Sequence, residues 1–332
     1  MLLQHLVVLA GFAIATLVMT YPVASVLTRA IPIDHQIEGW YPGDGDPWHA
    51  LWIVWYFKRA LATFPPPLLW TDLVFYPIGF DMPFLTGFGV ILVPAAALAS
   101  IVGVTVAYNV VWLLSFVLAG YAMYRLARFL GLHAPIAFVS GALYMFSSYR
   151  MLHAREHLPL LIASCLVPFF ALALLKAMDE PTTGRCIACA LVLAISTGVW
   201  WYCTRIAAAV LRRAAVATVV FLAMASPFVL PAILSPASYD GVVNRPLAES
   251  NIYAADLLAF FVPSPTNPVF GKWSDPLYRR FTGNPYEKTV YLGYVLLVLS
   301  LWGIVRMPWE KTRLYVIAAV AFFVLALGPF LH

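Results

Sequence analysis

Long apolar runs separated by short polar and basic punctuation dominate the chain, and each run has the length of a helix rather than the alternation of a strand. The first, Leu3–Tyr21, is read as an uncleaved first span, because no basic leader and no clear small-x-small cleavage site accompany it. A polar and aromatic loop follows from Pro22 to about Pro83. Within it, Trp48–Phe64 has a helical apolar period that ends at Pro65-Pro66-Pro67. Its aromatics and the Lys58-Arg59 pair suit a helix lying in the membrane interface. Leu69–Asp81, broken by Pro77 and Gly79, reads as irregular structure.

Further apolar runs cover Pro83–Gly103, Ala107–Leu126, Pro135–Tyr149, Leu158–Leu175, Cys186–Val199, Ala214–Ile233, Tyr291–Val305 and Tyr315–Leu331. A second long loop occupies about Leu234–Thr289. The last run has no closing polar tail, so the sequence is expected to continue beyond it. Pro83–Gly103, weakened by Gly87, Gly89 and Pro94, is expected to dip in and return, or to lie along the surface. That placement leaves Arg125, Arg128 and His133 on the cytoplasmic side, as the positive-inside rule requires. The same rule puts the acidic first loop outside, together with the loop Arg150–His157. The expected fold is all-α: a single polytopic transmembrane helical bundle over residues 1–332, with long outer loops at about 22–106 and 234–289 that carry interfacial helices.

Composition supports the membrane class. The 332 residues are 63% hydrophobic and 11% charged, with mean hydropathy +0.86, whereas soluble domains are nearer half apolar and a quarter charged. The net charge of +5 sits in short loops and does not suggest nucleic-acid binding. Of the four cysteines, Cys186 and Cys189 form a C-x-x-C inside an apolar run. With no second pair and no spaced histidine, they read as small hydrophobes rather than a zinc site.

Against this background one cluster carries chemistry, Tyr41-Pro-Gly-Asp-Gly-Asp-Pro-Trp-His-Ala-Leu-Trp52. Asp44 and Asp46 repel one another unless a metal ion, a basic side chain or a substrate proton lies between them. Gly43 and Gly45 permit a tight turn, and Pro47 suits the first turn of a helix. The pair is read as a general base, or as a ligand for a divalent cation such as Mg or Mn that also meets phosphate. The bland alternative is an Asx-turn with a helix cap. His153, Arg155, Glu156 and His157 follow in the next outer loop. Their H-x-x-E-H order matches an inverted zinc-protease motif, but Pro159 follows at once and no third ligand is evident. Anion binding by His153 and Arg155 is the preferred reading, beside that of a solvated loop. In the second long loop Arg245, Glu287 and Lys288 stand among aromatics. Basic groups there are expected to attract phosphate, and Glu287 either holds an acceptor hydroxyl or serves as a helix N-terminal glutamate. No serine nucleophile with partners, phosphate-binding glycine loop or dinucleotide fingerprint occurs.

Taken in order, Gly43-Asp-Gly-Asp-Pro-Trp48, Leu73-Val-Phe-Tyr-Pro-Ile-Gly79, Ala107-Tyr-Asn-Val-Val-Trp112, Ser147-Ser-Tyr-Arg150 with His153 and His157, Ala255–Pro265, and Glu287 with Tyr291-Leu-Gly-Tyr294 resemble the GT-C class of integral-membrane glycosyltransferases, specifically the YfhO-like prokaryotic membrane proteins. The resemblance implies inverting sugar transfer from a polyprenyl-phosphate-linked donor to a hydroxyl of a glycan, lipid or protein acceptor, at the outer face of the cytoplasmic membrane. Asp44 or Asp46 would act as base or metal ligand. Arg150, His153, Arg155, His157, Arg245 and Lys288 would meet the lipid phosphate or substrate, with Glu287 beside them. The family pattern Asp-Trp-Tyr-Tyr is here Gly198-Val-Trp-Trp-Tyr202. A transporter or flippase, or a scaffold subunit for envelope glycoconjugates, is the alternative. A transporter predicts mid-bilayer ionisable groups and internal repeats, and neither occurs.

Overall fold

The computed structural model describes residues 2–33, 45–64, 70–81, 89–180, 182, 184–185, 187–189, 192, 251–265, 267, 269–284 and 287–328. The expected spans Cys186–Val199 and Ala214–Ile233, the Trp200–Tyr202 region, Asp44 and Arg245 lie wholly or largely outside them. The described residues are mostly helical, and three of their helices are long and apolar enough to cross a membrane. Two compact units divide the chain, one of Met1–Phe146 with Ala154–Tyr239, the other of Ser147–His153 with Asp240–His332.

In the first unit, α1 (Leu2–Met19) buries only the stripe Val8, Phe12, Thr16, spaced four apart. The remainder is an apolar surface that needs apolar surroundings. α2 (Gly45–Leu61) buries Pro47, Ala50, Ile53, Val54, Phe57 and Ala60 along one face, packed on α3 (Gly89–Val102) and α4 (Val104–Phe129). Its opposite face exposes Trp48 and Trp55, aromatics of the kind an interfacial helix presents. Between α2 and α3 the expected irregular stretch contains a small hairpin. Its strands β1 (Trp70–Thr71) and β2 (Phe80–Asp81) pair antiparallel, Trp70 with Asp81 and Thr71 with Phe80. Gly79, at φ 75°, closes the turn; a Cβ there would strike the Trp70 ring and come within 2.8 Å of the Thr71 carbonyl oxygen.

α3 contains 14 residues with Pro94 inside, about 21 Å at the helical rise. That is shorter than the roughly 30 Å hydrocarbon core. The run expected to continue from Pro135 to Tyr149 is interrupted. α5 (Ala134–Met145) ends before Phe146, and α6 (Ser148–His153) restarts in the other unit's share of the chain. α7 (Leu158–Asp179) then runs 22 residues. α5 lies close to α4 because both carry glycine at the crossing. A Cβ on Gly141 would be 2.5 Å from the Gly120 carbonyl oxygen and from the Phe12 ring, the small-residue contact typical of apolar helix pairs. Phe12 also stacks on Phe138 at 4.4 Å.

These helices give the first unit two chemically different ends. At one, Gln4 and His5 of α1 meet Tyr124 and Tyr121 of α4. Arg125 bonds Tyr121, Arg128 bonds the Leu132 carbonyl, Lys176 lies over the Phe129 ring, and Arg185 bonds both the Lys176 carbonyl and the Glu180 carboxylate. The basic residues therefore share the end that holds the start of α1. At the other end Asn109 donates to the Leu27 and Ala30 carbonyls at 2.8 and 2.7 Å, which fixes the chain leaving α1.

In the second unit, a 3₁₀ turn (Leu257–Phe260) and α8 (Gly271–Tyr278) precede two apolar helices, α9 (Tyr294–Arg306) and α10 (Trp309–Ala326). Ala255, Phe260 and Leu327 form its core with Val290, Phe323 and Ala326. α9 ends at Arg306, and α10 starts just after Met307-Pro308 with Glu310, Lys311 and Arg313 in its first turns.

Candidate functional site

Asp46 is the second residue of α2, where the backbone N–H groups of a first helical turn lack partners within the helix and favour negative charge. His157 is the residue immediately before α7, whose entry is set by Pro159 in its first turn. The packing of α2 and α7 brings the two together, and His157 Nε2 lies 2.9 Å from Asp46 Oδ2. Two helix N-termini thus converge on one carboxylate–imidazole pair. Because α7 extends about 33 Å from the pair, the pair and the basic end are separated by roughly the thickness of a bilayer core.

The turn that presents His157 is fixed from behind. Trp112 Nε1 of α4 donates to the Ala154 carbonyl at 2.6 Å. The hydrogen bond from His157 holds the Asp46 carboxyl below its ordinary value. Burial opposes this, and the charges of His157 and His49 reinforce it. Asp46 is therefore ionised at neutral pH. Its side chain is 59% exposed, that of His157 22%, so the carboxylate faces outward and the imidazole supports it from within. His49, one helical turn beyond Asp46, has its Nε2 buried with no hydrogen-bond partner among the described residues, and a buried polar atom of that kind is costly unless water or a ligand reaches it.

The sequence allowed a metal ion, a basic side chain or a proton beside Asp46, and its described neighbour is a basic side chain. Among the described residues no three His, Cys, Asp or Glu side chains gather in a way that could hold a metal ion. Asp44, the other member of the candidate metal-ligating pair, lies outside the described residues. Gly45 is the first residue of α2 and a Cβ there meets nothing within 4 Å, so no close approach requires glycine at that position.

Of the remaining candidates, Arg155 belongs to the first unit, and Arg150, His153, Glu287 and Lys288 belong to the second. His153 and His157 do not share a helical face, since α6 ends at His153 and His157 stands before α7. Arg155 is half-buried in the turn between them. Arg150 and His153 are buried, each 1% exposed, rather than solvated in a loop. In their own unit His153 stacks on Tyr149 at 4.0 Å, its Nδ1 2.9 Å from the Tyr149 carbonyl oxygen. The Tyr149 hydroxyl is pushed up to about 12, first by burial and then by the negative charge of Glu287, with Arg150 opposing. Arg150, which is buried, and the half-buried Glu287 thus act in opposite directions on the half-buried Tyr149. Glu287 is not a helix N-terminal residue, because α9 begins only at Tyr294; its amide bonds the Asn284 side chain at 3.0 Å. Lys288 donates to the Tyr278 carbonyl at 3.2 Å, and burial lowers its pKa, with Asp256 opposing.

His49 and Tyr149 escaped the sequence reading. The signal for His49 was its spacing of three from Asp46, which puts both on one helical face. Tyr149 carried no signal beyond adjacency to Arg150.

No curated protein and no solved structure matches the chain. A family model described as a domain of unknown function, DUF6311, matches residues 12–331. The chain belongs to the DUF6311 family.

Proposed function

We propose that this protein is a polytopic membrane glycosyltransferase. It moves a sugar from a polyprenyl-phosphate donor to an acceptor hydroxyl at the outer face of the cytoplasmic membrane. The observation that carries the reading is the Asp46–His157 pair at the meeting of two helix N-termini, at the end of the apolar helices opposite the basic residues. The positive-inside rule assigns the basic end to the cytoplasm and the pair to the outer surface. There a lipid-borne phosphate can reach it without leaving the leaflet.

The chemistry follows from which group is exposed. The free oxygen of the Asp46 carboxylate accepts the hydrogen of the acceptor hydroxyl and takes its proton as the oxygen attacks the anomeric carbon. The bond from that carbon to the phosphate oxygen breaks, and the electron pair leaves with the phosphate. One displacement inverts the anomeric centre. The departing phosphate gains charge, which the N–H groups at the two helix starts and the adjacent Arg155 stabilise. His157 is a positioning residue that keeps the carboxylate ionised and oriented. The proton then passes from the exposed Asp46 to water. Apolar α1, α4 and α7, with their charges gathered at the ends, favour this reading over a transporter.

The test is transfer of radiolabelled sugar from polyprenyl-phosphate donors by the purified protein in lipid nanodiscs, beside Asp44→Asn and Asp46→Asn variants. Loss of transfer in Asp46→Asn with folding intact supports the reading. Absence of transfer by the parent protein from every donor offered would overturn it.

A further inference from the structure

The hairpin between α2 and α3 presents an uncharged apolar tip to its surroundings. Phe75, Tyr76 and Ile78 are 65, 80 and 83% exposed, and Trp70 and Leu73 at its base are about half exposed. No charge lies between Asp72, just after β1, and Asp81 at the end of β2. A flexible loop would hide such residues, but this one is held open. Ile78 and Gly79 amides both bond the Phe75 carbonyl, at 2.9 and 3.1 Å. Phe75 itself is at φ 55°, a left-handed conformation that few aromatic residues adopt. The base is tied to the body of the unit. The Tyr56 hydroxyl of α2 donates to the Trp70 carbonyl at 3.2 Å, and the Leu73 amide bonds Thr71 Oγ1. An exposed apolar patch presented on a rigid mount marks an interaction surface.

We infer that the hairpin tip inserts into the acyl boundary of the outer leaflet and anchors α2, and with it Asp46, at a fixed height over the membrane surface. The inference rests on the membrane reading above. A bilayer is the occupant favoured here because the same unit carries three helices long and apolar enough to be surrounded by lipid. Aromatic and aliphatic residues with no charge between Asp72 and Asp81 also match the apolar side of an interfacial contact. A protein partner or a second copy of the chain would be expected to offer the tip a groove and to leave it dry without lipid.

The experiment places a polarity-sensitive fluorophore on Ile78→Cys, and separately on Tyr76→Cys, in the full chain with its four native cysteines replaced by alanine. The protein is reconstituted in phosphatidylcholine–phosphatidylglycerol nanodiscs. Insertion gives blue-shifted emission from both positions, and stronger quenching by nitroxide-labelled lipid than by aqueous iodide. Water-like emission quenched mainly by iodide, in discs that hold the protein as a monodisperse species, would overturn the inference and leave the membrane reading standing. The same holds for a blue shift that nitroxide lipid does not quench, since it reports a protein groove. Failure of the parent chain to enter discs at all would overturn both.

Discussion

Asp46 and His157 are 111 positions apart in sequence and 2.9 Å apart in space, and their division of labour can be measured. Asp46→Asn keeps the shape and removes the base, so transfer should fall by a factor on the order of a hundred or more, with donor binding retained. His157→Ala should lose transfer through misplacement of the carboxylate, whereas His157→Gln, which still offers an N–H, should recover part of it. Single-turnover rates beside donor Kd values distinguish the two effects. The pair also predicts a pH response. Because the folded pKa of Asp46 lies below its ordinary 3.8, its contribution to stability is present above the unfolded value and lost as pH falls through the folded one. Thermal unfolding followed from pH 6 to pH 2 should show the parent more stable than His157→Ala at pH 6, with the difference shrinking as pH falls through the folded pKa of Asp46. Asp46 was legible in the sequence because a charged pair framed by glycine and proline is rare in so apolar a chain. Its partner's identity was not legible, because His157 reaches it only through the packing of α2 and α7, which no local pattern encodes. Burial of Arg150 was equally hidden. From sequence an arginine after an apolar run is a boundary marker, and only long-range packing decides whether it faces water.

Helices are where apolar periodicity speaks most directly, and α1, α4 and α7 follow the runs that predicted them. The disagreements arise where apolarity continues across a change of direction. Hydropathy carries straight through from Pro135 to Tyr149, yet α5 stops at Met145 and the chain turns into α6; nothing in an unbroken apolar run signals the bend. The two-residue strands of the hairpin are likewise too short to establish an alternation. Two glycines separate packing from local conformation at this scale. Gly141→Ala would push a methyl group against the Gly120 carbonyl and should destabilise the protein by about 1–3 kcal/mol. Gly45→Ala fills open space at the first residue of α2 and should change stability by no more than about 0.5 kcal/mol. Unfolding of both variants in the same detergent would settle the contrast, and equal effects would refute the close α4–α5 crossing.

At the scale of the whole molecule, the gathering of Arg125, Arg128, Lys176 and Arg185 at one end of the first unit predicts a sidedness that can be read in living cells. In a background without native cysteines, His133→Cys should react with a membrane-impermeant maleimide only after lysis, while Asp72→Cys should react in intact cells. The opposite pattern would invert the proposed topology. Composition pointed to helices apolar enough to cross a membrane, and three such helices are present among the described residues, but it did not reveal the division into two units, because the second is discontinuous, with Ser147–His153 belonging with residues after Asp240. That discontinuity has a consequence in time. A ribosome completes α6 at His153 and reaches Glu287 only 134 residues later (287 − 153), a delay of about 7–27 s at synthesis rates of about 5–20 residues per second. Throughout that interval Arg150 is present without Glu287, the carboxylate whose charge opposes its own at the Tyr149 hydroxyl. A pause or truncation before residue 287 would leave Tyr149 and Arg150 without that carboxylate.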